Sequence, residues 1–189
     1  RSPAVLLQQA DAALYRAKVE GRGGYSFFDE SLTAGARQRV EMETRLRRAI
    51  EVGDLELHYQ PQVDIATGRL IGAESLVRWR DGERGLVPPD AFIPVAEQTG
   101  MIDALGEWVL REACRQGREW RDAGLPVPRL AVNLSARQLH AGDLVPRIAA
   151  ILEETGYPAD QLELELTEGA LMQQQDRSVS VLRALRGLG

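Results

Sequence analysis

Lysine is almost missing from this sequence: Lys18 is the only one, and arginine supplies the rest of the 23 basic residues, a bias read as codon usage in a GC-rich genome. Cysteine is rarer than usual too. A single thiol, Cys114, excludes a disulfide framework and a thiol–metal cluster and fits a reducing cytosol. Histidine is limited to His58 and His140, far apart in the chain and read as surface or satisfied residues, not ligands. No apolar run approaches the roughly 18 residues of a membrane span, and no charged-then-apolar leader opens the chain. A cytoplasmic location is therefore expected, with any tether to the inner membrane supplied by other segments. Positive charge is also in short supply: the formal net charge is -5 and the pI about 5.2. That balance excludes a protein that holds a nucleic-acid polymer by neutralising many phosphates. It leaves room for a small anionic ligand, because local charge can oppose the average.

What is present is ordinary globular material, 44% apolar and 27% charged over 189 residues, enough for one domain or one domain with an appendage. Residues 4–18 place Leu6, Leu7, Ala10, Ala13, Leu14 and Ala17 at helical spacing, and Gly21 with Gly23-Gly24 reads as its stop. A short aromatic strand is expected over Tyr25 to Phe28. Residues 31–53 read as a charged linker helix closed by Gly53. From residue 54 the pattern changes. Leu55, Leu57 and Tyr59 alternate with polar residues, Asp64 to Gly68 carries turn chemistry, and a second strand covers residues 69–79, so this pair forms an antiparallel hairpin. Helices at 89–98, 101–123, 144–155 and 178–186 alternate with strands at 129–135 and 161–167. That order predicts an α/β fold with a mostly parallel sheet. The chain starts without a Met and stops after a helix-like segment, and is expected to be a piece of something longer.

Strands covered on both faces read as nearly continuous apolar runs, and three of these do not. In the second strand Gly72, Glu74, Leu76 and Arg78 share one face; in the third, Ala131, Asn133 and Ser135; in the fourth, Glu163, Glu165 and Thr167. Glu74, Asn133 and Glu165 are therefore expected to converge. Two carboxylates brought together repel, and a cation relieves that repulsion. Hard oxygen donors without sulfur suit Mg²⁺, Mn²⁺ or Ca²⁺. Arg78, on the face of Glu74, can clamp a phosphate with its forked donors. The alternative from spacing alone is that Glu74 and Arg78 pair with each other while Glu163 and Glu165 face solvent on an edge strand.

The run Gly72-Ala-Glu-Ser-Leu-Val-Arg-Trp79, with Tyr59-Gln-Pro61 before it and Pro94-Val-Ala-Glu97, Val132-Asn-Leu-Ser135 and Glu165-Leu-Thr-Glu168 after it, resembles the EAL domain of bacterial cyclic-di-GMP signalling. The ordered set is far more specific than any one tripeptide. The resemblance covers residues from about 45 to 189. Residues 1–30, with Ala10-Asp-Ala-Ala-Leu-Tyr-Arg-Ala-Lys18 and Gly21-Arg22, look like the C-terminal remnant of a GGDEF domain without its nucleotide-binding loop. The resemblance implies a TIM-like (β/α) barrel with an antiparallel first strand, here truncated after about the fourth strand and its helix. It implies hydrolysis of one phosphodiester of cyclic-di-GMP to linear pGpG with Mg²⁺ or Mn²⁺. Carried over by motif, Glu74, Asn133 and Glu165 match metal-binding positions; Gln60, Leu76 and Arg78 match positions around the dinucleotide; Glu168 matches a glutamate that supports an active-site loop.

Two departures from the family pattern stand out. Its name-giving alanine is Ser75 here, pointing away from Glu74 toward the helices, where a small hydroxyl is expected to bond backbone at little cost to activity. The family's paired aspartates and later lysine, glutamate and glutamine fall beyond Gly189. Two-metal hydrolysis holds its cations roughly 3.5–4 Å apart, and three ligands cannot supply both. The parent protein is thus expected to be the phosphodiesterase, while residues 1–189 alone are expected to be inactive and to self-associate, as a homodimer of half-barrels or a swapped assembly. A second reading is a cyclic-di-GMP receptor or interaction module with a degenerate site.

Overall fold

The computed structural model describes residues 2–19, 25, 27–28, 30–125, 127–167 and 175–189. It divides into two compact units, Arg1–Leu46 and Arg47–Gly189. The first holds α1 (Pro3–Val19) and the start of α2 (Glu30–Val52), which spans the division. Tyr25, Phe27 and Phe28 form no strand, contrary to the sequence expectation. Tyr25 and Phe27 instead meet edge to face, with ring centroids 5.5 Å apart, and stay about 80% exposed. A strand needs a ladder partner, and none pairs with these residues among those described. The expected glycine stop at 21–24 lies outside the described residues.

The second unit follows the βα order read from the sequence. β1 (Leu55–Val63) and β2 (Leu70–Asp81) form the hairpin; β3 (Gly85–Val87), α3 (Pro89–Thr99), α4 (Ile102–Asp122), β4 (Leu130–Leu134), α5 (Ala136–Leu139), α6 (Leu144–Thr155), β5 (Leu162–Leu166) and α7 (Gln175–Arg186) follow, with a 3₁₀ turn at Ala159–Gln161. The sheet order is β1-β2-β4-β5, with β3 paired to β2. β1 and β3 run antiparallel to β2, whereas β4 and β5 run parallel to it. The hairpin turn is built by Asp64, whose Oδ1 accepts from Thr67 N at 2.8 Å and Thr67 Oγ1 at 2.7 Å, a side chain mimicking a backbone turn.

Apolar spacing explains the packing of α4. Ile102, Leu105, Val109, Ala113 and Cys114 are buried, while Arg115 pairs with Glu112 and Glu119, and Arg118 with Asp122, on the solvent side. Such exposed pairs contribute only a few tenths of a kcal/mol each; the buried stripe holds the helix down. Gly117 sets how close it comes: a Cβ there would lie 2.5 Å from the Tyr157 ring and 2.6 Å from Leu130 Cδ1. Tyr59 of β1 meets Trp120 of α4 edge to face at 4.6 Å, and Trp79 of β2 meets Phe92 of α3 at 5.7 Å. Tyr59, Ser75, Trp79, Val132 and Leu164 therefore share the helix-facing side of the sheet. Glu74, Asn133 and Glu165 lie on the other, inner side.

That helix-facing side corrects one expectation. Ser75 is buried, 3% exposed, and its hydroxyl has no hydrogen-bond partner among the described residues. The neighbouring carbonyls of β2 are engaged in ladders on both sides, to β1 and β4, so the hydroxyl finds no backbone acceptor.

Candidate active site

The parallel register brings the expected set together. Asn133 stands directly opposite Glu165, and Glu74 opposite Ala131, one pleat away on the same face. Asn133 Nδ2 donates to Glu74 Oε1 at 2.7 Å. Half a turn of that amide would present Oδ1 instead, so the side chain can serve a carboxylate or a cation from one position. Gln62 of β1 donates to Glu165 Oε1 at 3.5 Å. In a flat sheet their strands, three spacings apart, would be roughly 14 Å from each other. The contact means that the sheet curls around its inner face, as a barrel wall does.

Glu165 is held above the ordinary carboxylate range. Burial is the main cause, followed by the charge of Glu74, with a smaller push from Glu163; the Gln62 hydrogen bond works the other way. Half-buried and facing a second carboxylate, it is the group whose ionisation a divalent cation would relieve most. Glu74, Asn133 and Glu165 offer three hard oxygens, a donor set that fits Mg²⁺ or Mn²⁺ completed by other ligands. Among the described residues no group of three or more His, Cys, Asp and Glu side chains forms a self-sufficient metal cluster. The set therefore suits one partly coordinated cation, not a pair.

The remaining expected residues line up along the same face. Gln60 is exposed and sits opposite Glu74 in the hairpin register; Leu76 lies one step further along β2, opposite His58. Arg78 forms no ion pair with Glu74 among the described residues. Its guanidinium donates to the Val77 carbonyl at 2.9 Å, which leaves donors of its fork to face a ligand. A cavity of about 300 Å³ at the carboxyl ends of β2 and β4 is lined by Leu76, Arg78, Glu97, Asn133, Ser135 and Thr167, among others. Ligand sites in α/β folds concentrate at these strand ends. A larger cavity, about 580 Å³, lies between α6, β5 and α7; its walls include Leu152, Leu162, Leu164, Leu182, Leu185 and Glu163, but not Glu74, Asn133 or Glu165. Glu168 lies outside the described residues.

Other charged groups are accounted for elsewhere. Glu163, on the same face, is taken by Arg129 at 2.7 Å, so the solvent-edge alternative holds in part for Glu163 and not for Glu165. Glu56 receives Arg80 at 2.7 Å and His58 at 3.0 Å; hydrogen bonds from Arg80 and then His58 hold its carboxyl below the ordinary value. His140 meets Ser178 at 3.2 Å. Sequence reasoning missed Gln62, although the alternation that puts Gln60 on the inner face puts Gln62 there too.

Fold and site together define an α/β-barrel-type protein with an oxygen-donor site at the carboxyl ends of its strands. The EAL domain family profile matches residues 43–189. The bifunctional diguanylate cyclase/cyclic di-GMP phosphodiesterase MucR of Pseudomonas aeruginosa is 44% identical over 184 residues, 97% of this chain and 27% of that protein. The cyclic di-GMP phosphodiesterase NbdA of the same organism is 45% identical over 184 residues, 97% of this chain and 24% of that protein. The solved PaMucR phosphodiesterase, in complex with c-di-GMP, superposes with a TM-score of 0.76 at 42% identity, over 79% of this chain and 60% of that one. The chain belongs to the EAL domain family. It spans about a quarter of the length of these curated relatives.

Proposed function

We propose that the protein carrying this chain hydrolyses one phosphodiester of cyclic-di-GMP to linear pGpG, at a site to which Glu74, Asn133 and Glu165 contribute the divalent-metal ligands. The observation that supports this reading most is the meeting of those three side chains on one inner face, with Arg78 and Leu76 beside them at the strand ends. Bound there, Mg²⁺ or Mn²⁺ supplies Lewis-acid polarisation of a phosphoryl oxygen. The chain's own residues do the holding. Arg78 fixes a phosphate through its paired donors, Leu76 gives an apolar contact for the dinucleotide, and Gln60 supplies an amide on the β1 side. Glu168, outside the described residues, is assigned by the family motif alone to the support of an active-site loop.

Residues 1–30 are proposed as the end of a GGDEF-like domain and 31–53 as its linker to the EAL part at 54–189. The MucR match supports this, because it covers nearly the whole chain and MucR is named as a cyclase as well as a phosphodiesterase. Among the described residues no helix is long and apolar enough to cross a membrane. β5 has a ladder partner on one side only among the described residues, and pairing of copies through that edge is part of the proposal; light scattering on the chain checks it.

The reading that competes is a receptor that binds the dinucleotide without cleaving it. Chromatography of cyclic-di-GMP incubated with the whole protein and Mn²⁺ separates the two. Appearance of pGpG that stops with a chelator supports hydrolysis, and unchanged cyclic dinucleotide with measurable binding supports the receptor.

A further inference from the structure

Gln62 has no part in the roles assigned above. It lies on the inner face of β1, two residues from Gln60, and is half-buried. Its Nε2 reaches Glu165 Oε1 on β5, so one side chain crosses over both β2 and β4. What lies beneath makes the crossing possible. Gly72 stands opposite Gln62 in the ladder, and a Cβ at 72 would come within 3.0 Å of Gln62 Oε1 and 3.1 Å of the Arg129 carbonyl oxygen. The inner-face position of β4 next to Glu74 is Ala131. Two small residues keep the floor of the curled sheet low enough for an amide to pass. The chemistry of the side chain suits the place as well. A lysine or arginine reaching Glu165 would compete with a cation, a carboxylate would add a third repelling charge, and an apolar side chain would leave the carboxylate free to turn. An amide donates one neutral N–H and does none of these.

We propose that Gln62 is a positioning residue for Glu165, holding its carboxylate in place beside Glu74 and Asn133; the inference rests on the cation site proposed above. The arrangement is paired: Asn133 meets Glu74 at 2.7 Å and acts from within the ligand set, whereas Gln62 meets Glu165 from outside it. Partners that orient metal ligands in this way are worth about 10–100-fold in metal affinity when removed.

The test is Mn²⁺ titrated calorimetrically into the chain and into Gln62→Met, Gln62→Asn and Glu165→Gln, each melted without metal to show that it is folded. Methionine keeps the length and loses the donor; asparagine keeps the donor and loses the reach. Both are expected to bind Mn²⁺ about 10–100-fold more weakly while melting within a few degrees of the parent, a split that a merely structural role would not give. If Gln62→Met does not fold, Gln62→Asn carries the comparison. Parental Mn²⁺ affinity in a folded Gln62 variant, with Glu165→Gln weakened, overturns the positioning role. Parental affinity in Glu165→Gln as well overturns the cation site on which it rests.

Discussion

On the inner face of the sheet each carboxylate is met by a donor: Asn133 donates to Glu74, Gln62 to Glu165 and Arg129 to Glu163. On the helix-facing side of the same strands apolar residues and rings fill the space, and the one buried hydroxyl there, on Ser75, has no partner among the described residues. The contrast shows where the strands spend their polar groups. A polar side chain on the inner face is solvated or paired and stays available to a ligand; on the other face it must find a partner, as Asp81 does in the Glu83 and Arg84 amides, and one that finds none, like Ser75, is a cost to the fold.

Glu74→Gln strikes the inner face hardest. It removes one of the two carboxylate charges proposed as ligands while keeping shape, and cyclic-di-GMP turnover by the whole protein is expected to fall roughly 10²–10³-fold, the range for deleting one electrostatic group at a reacting centre. Unaltered turnover in saturating Mn²⁺ would remove Glu74 from the site. Arg78→Lys loses the forked donor set. Affinity for cyclic-di-GMP, measured by calorimetry, is expected to drop about tenfold, in the range of one charge-assisted hydrogen bond, with Mn²⁺ affinity unchanged; equal loss of both would make Arg78 a structural residue.

The helix-facing side is probed by alkali. Burial pushes the Cys114 thiol from 9.0 up to about 12, and burial likewise pushes Tyr157, packed against Gly117, from 10.0 up to about 12. Both are acids whose folded form resists ionisation. Their contribution is complete below the unfolded values and is lost as pH climbs through 9 to 12, at no more than about 1.4 kcal/mol per pH unit for each group. Denaturant melts at pH 8, 9, 10 and 11 are expected to show falling stability; a flat profile would contradict that burial. Ser75→Ala should act in the opposite sense. Removing an unsatisfied buried hydroxyl is expected to raise stability by about 1–2 kcal/mol, or a few degrees in Tm for a chain of this size, and to leave turnover in place. A destabilised variant would mean that the hydroxyl has found a partner.

Much of this contrast was legible before any coordinates. Period-two alternation in residues 55–79 places Glu74 and Arg78 on one face whatever the curvature, and the βα order makes Asn133 and Glu165 neighbours. What alternation cannot supply is register and curl. Glu163 and Glu165 have the same parity, and only the pairing of Asn133 with Glu165 and the reach of Arg129 to Glu163 tell them apart. The Gln62 contact exists because the sheet curls, a property of the whole wall. β3 and α5, three and four residues long, are too short for periodicity; α5 is marked instead by a reciprocal cap between Ser135 and Gln138. The aromatic run at 25–28 misled for the converse reason, since β propensity reflects packing against neighbours that must be present. Ser75 misled because a hydroxyl in a central strand finds the adjacent carbonyls already occupied.

In the proposed site Glu74, Asn133 and Glu165 hold a divalent cation on the inner face. Crystals of the protein soaked in Mn²⁺ and measured at the manganese absorption edge test it directly. The expected result is an anomalous peak between these three side chains, with the Asn133 amide oxygen turned toward it, lost in Glu165→Gln. No peak there at millimolar Mn²⁺, or a peak that survives in Glu165→Gln, would contradict the claim.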